Sequence, residues 1–409
     1  MPIVTKPPAQ ESDLASTLHG RSILSFSLEH WDDVWRSRHQ ILSRLAVENQ
    51  VLHVSPQTYI RDVCGGTDRQ DIAKAGLVQV AEKLHSLVPP RWLPAVYGYP
   101  KLDATIRALL NWQIRRAMRR LGMKKPILYV WHPGFADVVG KFSECLVVYH
   151  VYDEYASFSM SRRSRELLNE QERQLLLRAD IVFAASDEIR ARRLSYNPNV
   201  HVIPNGVNYE TFSTAQNTET LVPKDIEGIR GPIVGCVATL ATFLDLALLI
   251  SIFSRRPDWS FVLIGVDAST AVDESPDLAR LRALPNVHFI GRRHQDVIPN
   301  YLKACDVCLI VYVLHDVTMV ASTPLKLYEY LAAGKPIVSS RLPLPENLAN
   351  VVHFAADTQE WIEAIEWALK ETDRERIGQR QKIARANSWD SRAMDIKQQL
   401  VRMLKTRLG

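Results

Sequence analysis

Cysteine is scarce in this chain: five among 409 residues, an odd number that cannot pair into a closed disulfide framework. Cys64, Cys145, Cys236, Cys305 and Cys308 are therefore expected as reduced thiols of a cytosolic protein. Cys305-Asp306-Val307-Cys308 is a lone CxxC that runs straight into Leu309-Ile310-Val311, so it reads as a buried strand and not as a metal or redox motif. A signal-type apolar segment is also missing, and residues 1–20 read as a polar, proline-bearing, mobile tail. The longest apolar stretch, Leu240 to Ile252, is broken by Asp245 and falls short of the roughly 20 residues a spanning helix needs. These absences predict a soluble protein, peripheral to a membrane at most. There is no low-complexity tract, and a net charge of +5 is too modest for a surface devoted to nucleic acid.

What is present is alternation. Short β-rich runs, 46% of the chain being hydrophobic, alternate with helical stretches, the pattern of parallel sheets with crossover helices. Strands are expected at 22–27, 50–54, 127–131, 146–150, 181–185 and 200–203, and again at 232–237, 259–264, 287–290, 307–311, 337–340 and 351–354. Residues 213–231 are polar and aperiodic and read as a linker. The expected organisation is an N-terminal Rossmann-like domain over 21–212, that linker, a second such domain over 232–386, and a C-terminal helix over 387–409 that crosses back to the first domain. The fold class is thus α/β, two doubly wound domains facing a cleft, with ligands bound at the carboxyl ends of the strands.

One segment carries chemistry. Ser322 or Thr323 can cap a helix, Pro324 suits its first turn, and Gly334 stops it before the strand at Ile337, which predicts a helix over 324–333. Lys326 then stands in the first turn, where a cation is electrostatically unwelcome unless an anion offsets it, and that points to a bound phosphate. Glu329 follows one turn later on the same face and could accept hydrogen bonds from sugar hydroxyls; the competing reading is an ordinary surface pair worth a few tenths of a kcal/mol.

A second concentration of charge runs from Asn111 to Lys125. Arg115, Arg116, Arg119, Arg120, Lys124 and Lys125 alternate with Ile114, Ala117, Met118 and Leu121 after Trp112, and Trp92 lies in the preceding Pro90–Pro94 loop. This reads as a basic amphipathic helix for an anionic membrane surface, against the alternative of a solvated helix packed on a sheet.

In order and spacing the chain resembles the bacterial group 1 glycosyltransferases of the GT-B fold. The resemblance is carried by Val202-Ile203-Pro204-Asn205-Gly206-Val207-Asn208, by the helix after Pro324, and by Pro257–Gly265 with Pro285–Gly291. Trp31…Arg38-His39-Gln40, Tyr149–Tyr155 and Asn387-Ser388-Trp389-Asp390 further resemble the subgroup of teichuronic-acid type that builds cell-surface polysaccharides.

The resemblance implies a nucleotide-sugar donor in the second domain and a lipid-linked saccharide acceptor in the first, no nucleic acid, no metal and no cofactor. It implies a protein on the cytoplasmic face of the plasma membrane. Lys326 would neutralise the donor diphosphate and Glu329 would bind ribose, with Thr323, Tyr328, Gly235 and Arg292 completing the donor side. Asn205 and Gly206 would form a near-cleft hinge, glycine permitting an unusual backbone turn. Arg38 and His150 would lie on the acceptor side. Asp153 or Glu154 is the expected base, with His132 as competitor and helix capping as the rival role of the acidic pair. The chain departs from the family at Ala321, where an acid is common, at Ala238, where a glycine is usual, and at His150, where an aspartate is frequent. A nucleotide-sugar epimerase of the same fold, or a silent nucleotide-binding scaffold, are the alternatives.

Overall fold

The computed structural model describes residues 18–32, 35–58, 75–95, 100–157, 161–238, 244–265, 276–313, 323–342 and 344–408. Cys64, Ala321, Ser322 and most of the 1–20 tail lie outside these residues. The chain divides into two units, one of residues 1–204 with 392–409 and one of residues 205–391.

The first unit is built on an eight-stranded sheet. In chain order its strands are β1 (Ser22–Phe26), β2 (Gln50–Val54), β3 (Gly76–Ala81), β4 (Leu84–Val88), β5 (Ile127–Val130), β6 (Leu146–Val151), β7 (Ile181–Ala184) and β8 (Val200–Val202). Their spatial order is β3-β4-β2-β1-β5-β6-β7-β8, parallel except for β3, which pairs antiparallel with β4. Strands such as β5, β6 and β7 are buried at every residue, as parallel strands covered by helices on both faces must be. The order reverses between β1 and β5, which makes that crevice the switch point of the sheet.

The second unit carries β9 (Ile233–Val237), β10 (Ser260–Ile264), β11 (Val287–Gly291), β12 (Val307–Ile310), β13 (Ile337–Ser339) and β14 (His353–Phe354). All are parallel, in the order β11-β10-β9-β12-β13-β14, and the switch point falls between β9 and β12. One face is covered by the helix Leu325–Ala332, whose Leu327, Tyr328, Tyr330 and Leu331 pack with Cys308 and Ile310 of β12. Trp259, Trp361 and Phe253 fill the other face.

Two expectations are corrected, and one element is added. The 213–231 stretch is not a linker: it lies inside the second unit, anchored by buried Ala215 and Ile226, while Lys303 Nζ donates to the carbonyls of Asn217, Thr218 and Thr220 at 2.7, 2.9 and 2.6 Å. Two apolar anchors in a polar segment suffice to seat it. The basic helix is longer toward its N-terminus and shorter toward its C-terminus than its charges suggest, spanning Pro100–Arg120. Gly122, at φ +66°, closes it as Met123 N–H donates to Met118 O and Gly122 N–H to Arg119 O, so Lys124 and Lys125 fall outside it. The β3–β4 hairpin is new: its turn is Glu82-Lys83, which lacks the Gly or Asn that marks a hairpin in sequence.

Candidate active site

In the second unit the helix Leu325–Ala332 begins at the switch point. Pro324 is its N-cap and not its first helical residue, and among the described residues no side chain caps this end. Its first turn therefore offers backbone N–H groups and the positive end of the dipole. Asn205 Nδ2 donates to Thr323 O at 3.1 Å and fixes the lead-in. Tyr330 ties the helix across the crevice: its hydroxyl accepts from Val237 N–H at the end of β9 (2.8 Å) and donates toward Leu309 O in β12. The far end closes in a Schellman arrangement at Gly334 (φ +69°), with Lys335 N–H on Tyr330 O and Gly334 N–H on Leu331 O.

Lys326 is half-buried, its Nζ 5.4 Å from the centroid of the Tyr312 ring. Burial opposes its charge, but Tyr312, Cys236 and Glu329 outweigh that and hold its pKa above the ordinary lysine value. Glu329 is also half-buried. Desolvation pushes its carboxyl up to about 7, against the opposing pull of Lys326 and of Gln295, whose Nε2 donates to Oε1 at 3.2 Å. A strong cation and a carboxyl that titrates near neutrality thus sit one turn apart at a helix start. Tyr328 is buried on the core side of the same helix. Arg292 is exposed just past Gly291 (φ +71°), whereas Arg293 is held by Asp225 (2.8 Å) and Tyr301 (2.7 Å).

Two glycines act differently from expectation. Gly235 lies in mid-β9, where a Cβ would stand 2.3 Å from Cys305 Sγ, so its role is to let that thiol pack and not to face a donor. Gly206 needs no unusual backbone angle; a Cβ there would meet Asn387 O and the Trp389 ring at 3.1 Å, so close approach of that segment explains it. Gln295, Tyr312 and Tyr330 were not singled out from the sequence. Tyr330 alone left a signal, standing at helical spacing from Lys326.

In the first unit the expected catalytic residues separate by environment. Glu154 is 8% exposed and holds Arg193 in a two-pronged ion pair (2.9 and 3.0 Å), with Arg193 also on Glu172. A carboxylate committed in this way joins the exit of β6 to the helix Arg162–Arg178 and is not a mobile base. His132 caps the short helix Pro133–Val138, its Nδ1 accepting from Gly134 N–H at 3.0 Å, and burial lowers its pKa to about 4. It acts as a cap. His150 is a core residue, not an acceptor contact: it stacks on Trp131 at 4.5 Å, bonds Tyr129 at 2.9 Å, and burial lowers its pKa to about 3. Strand β6 is covered on both faces, so either face of it is interior. Asp153 is half-buried at the carboxyl end of β6, and its Oδ1 accepts from Glu154 N–H at 2.9 Å. Arg38, in the first turn of the helix Ser37–Ala46, is 1% exposed and lies beside Glu29.

On the helix Pro100–Arg120, Leu102, Leu109 and Trp112 are exposed with Arg116, Arg119 and Arg120. Arg115 is exposed as well, but it donates to Lys141 O at 2.9 Å and lies over the Phe142 ring. Trp92 is 66% exposed. No helix among the described residues is long and apolar enough to cross a membrane.

Two α/β units of mostly parallel strands, the second with a cationic helix start at its switch point, make up the GT-B fold. Residues 231–371 match the family model described as Glycosyl transferases group 1. It is similar to TuaH of Bacillus subtilis (strain 168), whose name describes a teichuronic acid biosynthesis glycosyltransferase: 28% identical over 278 residues, covering 64% of this chain and 68% of TuaH. Among solved structures it is similar to sucrose-phosphate synthase from Thermosynechococcus elongatus (TM-score 0.66, 16% identity, 94% of this chain and 99% of that one). Anabaena HepE in complex with UDP and glucose is similar at a TM-score of 0.64 and 16% identity over 93% of this chain and 99% of that one.

Proposed function

We propose that this protein transfers a sugar from a nucleotide-sugar donor to a lipid-linked saccharide at the cytoplasmic face of a membrane, in the synthesis of a cell-surface polysaccharide. The observation that carries this reading is Lys326 at the start of the Leu325–Ala332 helix with Glu329 one turn on. The diphosphate lies against the helix N-terminus, where Lys326 and the dipole neutralise the charge that grows on the leaving nucleoside diphosphate. Glu329 accepts hydrogen bonds from the ribose hydroxyls, and exposed Arg292 adds charge beside the diphosphate. Because the chain supplies this charge itself, we assign no step to a metal or cofactor. Asp153, half-buried at the carboxyl end of β6, takes the proton of the acceptor hydroxyl. The name of TuaH supports the polysaccharide role, and the UDP bound by HepE supports the donor class.

Thermal unfolding of the full chain with UDP, GDP, dTDP and ADP tests the donor site. One of them is expected to raise the midpoint, by the equivalent of about 2.7 kcal/mol at a hundredfold excess over Kd. If none stabilises the protein, the reading fails.

The membrane contact is made by the exposed stripe Leu102, Leu109 and Trp112 with Arg116, Arg119, Arg120 and Trp92. An apolar stripe ending in cations suits a helix lying in an anionic interface. At about 1 kcal/mol per basic residue, replacing Arg116, Arg119 and Arg120 by Ala is expected to weaken co-sedimentation with phosphatidylglycerol vesicles about a hundredfold. Unchanged sedimentation would remove the membrane from the proposal.

A further inference from the structure

In the second unit the ladder between β9 and β12 stops sooner than its neighbours. β9 stays paired with β10 as far as Val237–Ile264, and β12 with β13 as far as Ile310–Ser339. Between β9 and β12 the register holds only at Val234–Val307 and Gly235–Cys308. Alternation along each strand gives the direction of the next rung. Ala238 N–H donates to Ile264 O on the β10 side and Ser340 N–H to Ile310 O on the β13 side, both at 2.9 Å. One residue earlier on each strand, Val237 N–H and Leu309 O therefore point at each other across the switch point. The Tyr330 hydroxyl stands between them, accepting from Val237 N–H at 2.8 Å and donating to Leu309 O at 3.5 Å. A side chain of the covering helix thus replaces one rung of the sheet, at the place where the crevice opens.

We propose that Tyr330 is a positioning residue for the donor diphosphate: its hydroxyl, set into the sheet, holds the ends of β9 and β12 apart and fixes the start of the Leu325–Ala332 helix against them. Tyr330 is fully buried, so it touches no ligand itself. Lys326 stands four residues earlier, one turn along the same face of the helix, so what is fastened at the strand ends is carried to the cation. The core needs only the ring, which phenylalanine would supply equally well. The hydroxyl answers to the two backbone groups. Without it Val237 N–H and Leu309 O are left unpaired, and closing the missing rung is the repair that satisfies both. Closure draws the half-buried end of β9 toward β12 and moves the crevice mouth relative to Lys326. This inference rests on the nucleotide-sugar reading above and adds to it what holds the diphosphate site in shape.

The test is calorimetric titration of the full-length wild type, Tyr330→Phe, Lys326→Ala and the double variant. The probes are UDP, GDP, dTDP and ADP, each beside its monophosphate, and the quantity read is the ratio of the monophosphate Kd to the diphosphate Kd. The nucleoside is common to both, so the ratio reports on the outer phosphate at the helix start. The wild type is expected to prefer at least one diphosphate, and Tyr330→Phe to lower that preference about tenfold, as for a misplaced hydrogen bond to a charged group. On the Lys326→Ala background the same change should alter the ratio by no more than about twofold, because the cation it positions is gone. A general loosening of the fold weakens both nucleotides alike; an unchanged ratio in Tyr330→Phe, or an equal fall in both backgrounds, overturns the role of Tyr330. Should Tyr330→Phe fail to fold, hydrogen–deuterium exchange of the wild type decides: the diphosphate and not the monophosphate should slow exchange in both Ile233–Val237 and Leu325–Ala332, and protection confined to the helix overturns the role. The two readings fail differently. If no diphosphate binds the wild type, the donor site falls and Tyr330 with it; if the wild type prefers a diphosphate and Tyr330→Phe keeps that preference, only the role of Tyr330 falls.

Discussion

Lys326→Ala is expected to lower kcat by about a hundred- to a thousandfold, the range found when one preorganised donor to a developing negative charge is removed. The chain invests little else in that charge, for the helix start has no side-chain cap among the described residues and Arg293 is taken up by Asp225 and Tyr301. The loss should fall on kcat more than on KM, since the diphosphate gains charge only as the glycosidic bond breaks. Structural damage is not the expected cause. A cation in the first turn is repelled by the dipole, so its removal relieves about 0.3–1 kcal/mol while sacrificing the attraction to Glu329. Lys326→Arg keeps the charge on a longer, forked group and should recover part of the rate. Steady-state release of nucleotide from the donor sugar, with thermal melts as control, measures this; a Lys326→Ala enzyme within tenfold of the wild type would end the assignment of Lys326.

The parallel strands were legible because strands buried on both faces are written as unbroken apolar runs, as in Leu146-Val147-Val148-Tyr149 or Ser260-Phe261-Val262-Leu263-Ile264. The β3–β4 hairpin was not, since β3 is an exposed edge strand and its turn carries no turn-forming residue. The Lys326 helix could be read whole because capping and termination are local: Pro324 ahead, Gly334 behind. The acidic residues at the exit of β6 could not be sorted that way. What removes Glu154 from chemistry is Arg193, which arrives from beyond β7, and what turns His150 inward is the cover on both faces of its strand. Partners far apart in sequence leave no periodicity to find. Gln295 is hidden for the same reason, although it bonds the very carboxylate that the sequence does reveal.

Glu329→Gln is expected to make the protein more stable at neutral pH while weakening donor binding. In the folded protein the Glu329 carboxyl titrates near 7, whereas in the unfolded chain it titrates at the ordinary value of 4.5. Between those values the unfolded chain releases the proton that the folded chain keeps, so folded stability falls as pH rises from about 4.5 to 7 and is level above it. The drop is about 3 kcal/mol at most. Glutamine cannot ionise, so the variant should match the wild type near pH 4.5 and exceed it progressively, reaching a gain of up to about 3 kcal/mol at pH 8. Urea unfolding at pH 4.5, 6 and 8 reads this directly, and an unchanged pH slope in the variant would show that Glu329 does not hold its proton. Donor binding should move the other way. Ribose hydroxyls are best accepted by the ionised carboxylate, so UDP affinity in the wild type should rise between pH 6 and 8. In Glu329→Gln that rise should vanish and Kd should increase about 10- to 100-fold, the worth of hydrogen bonds to a charged group. The same desolvation that costs the folded protein stability leaves a carboxylate poorly satisfied until a ligand arrives, which is the physical reason to keep an acid at this position.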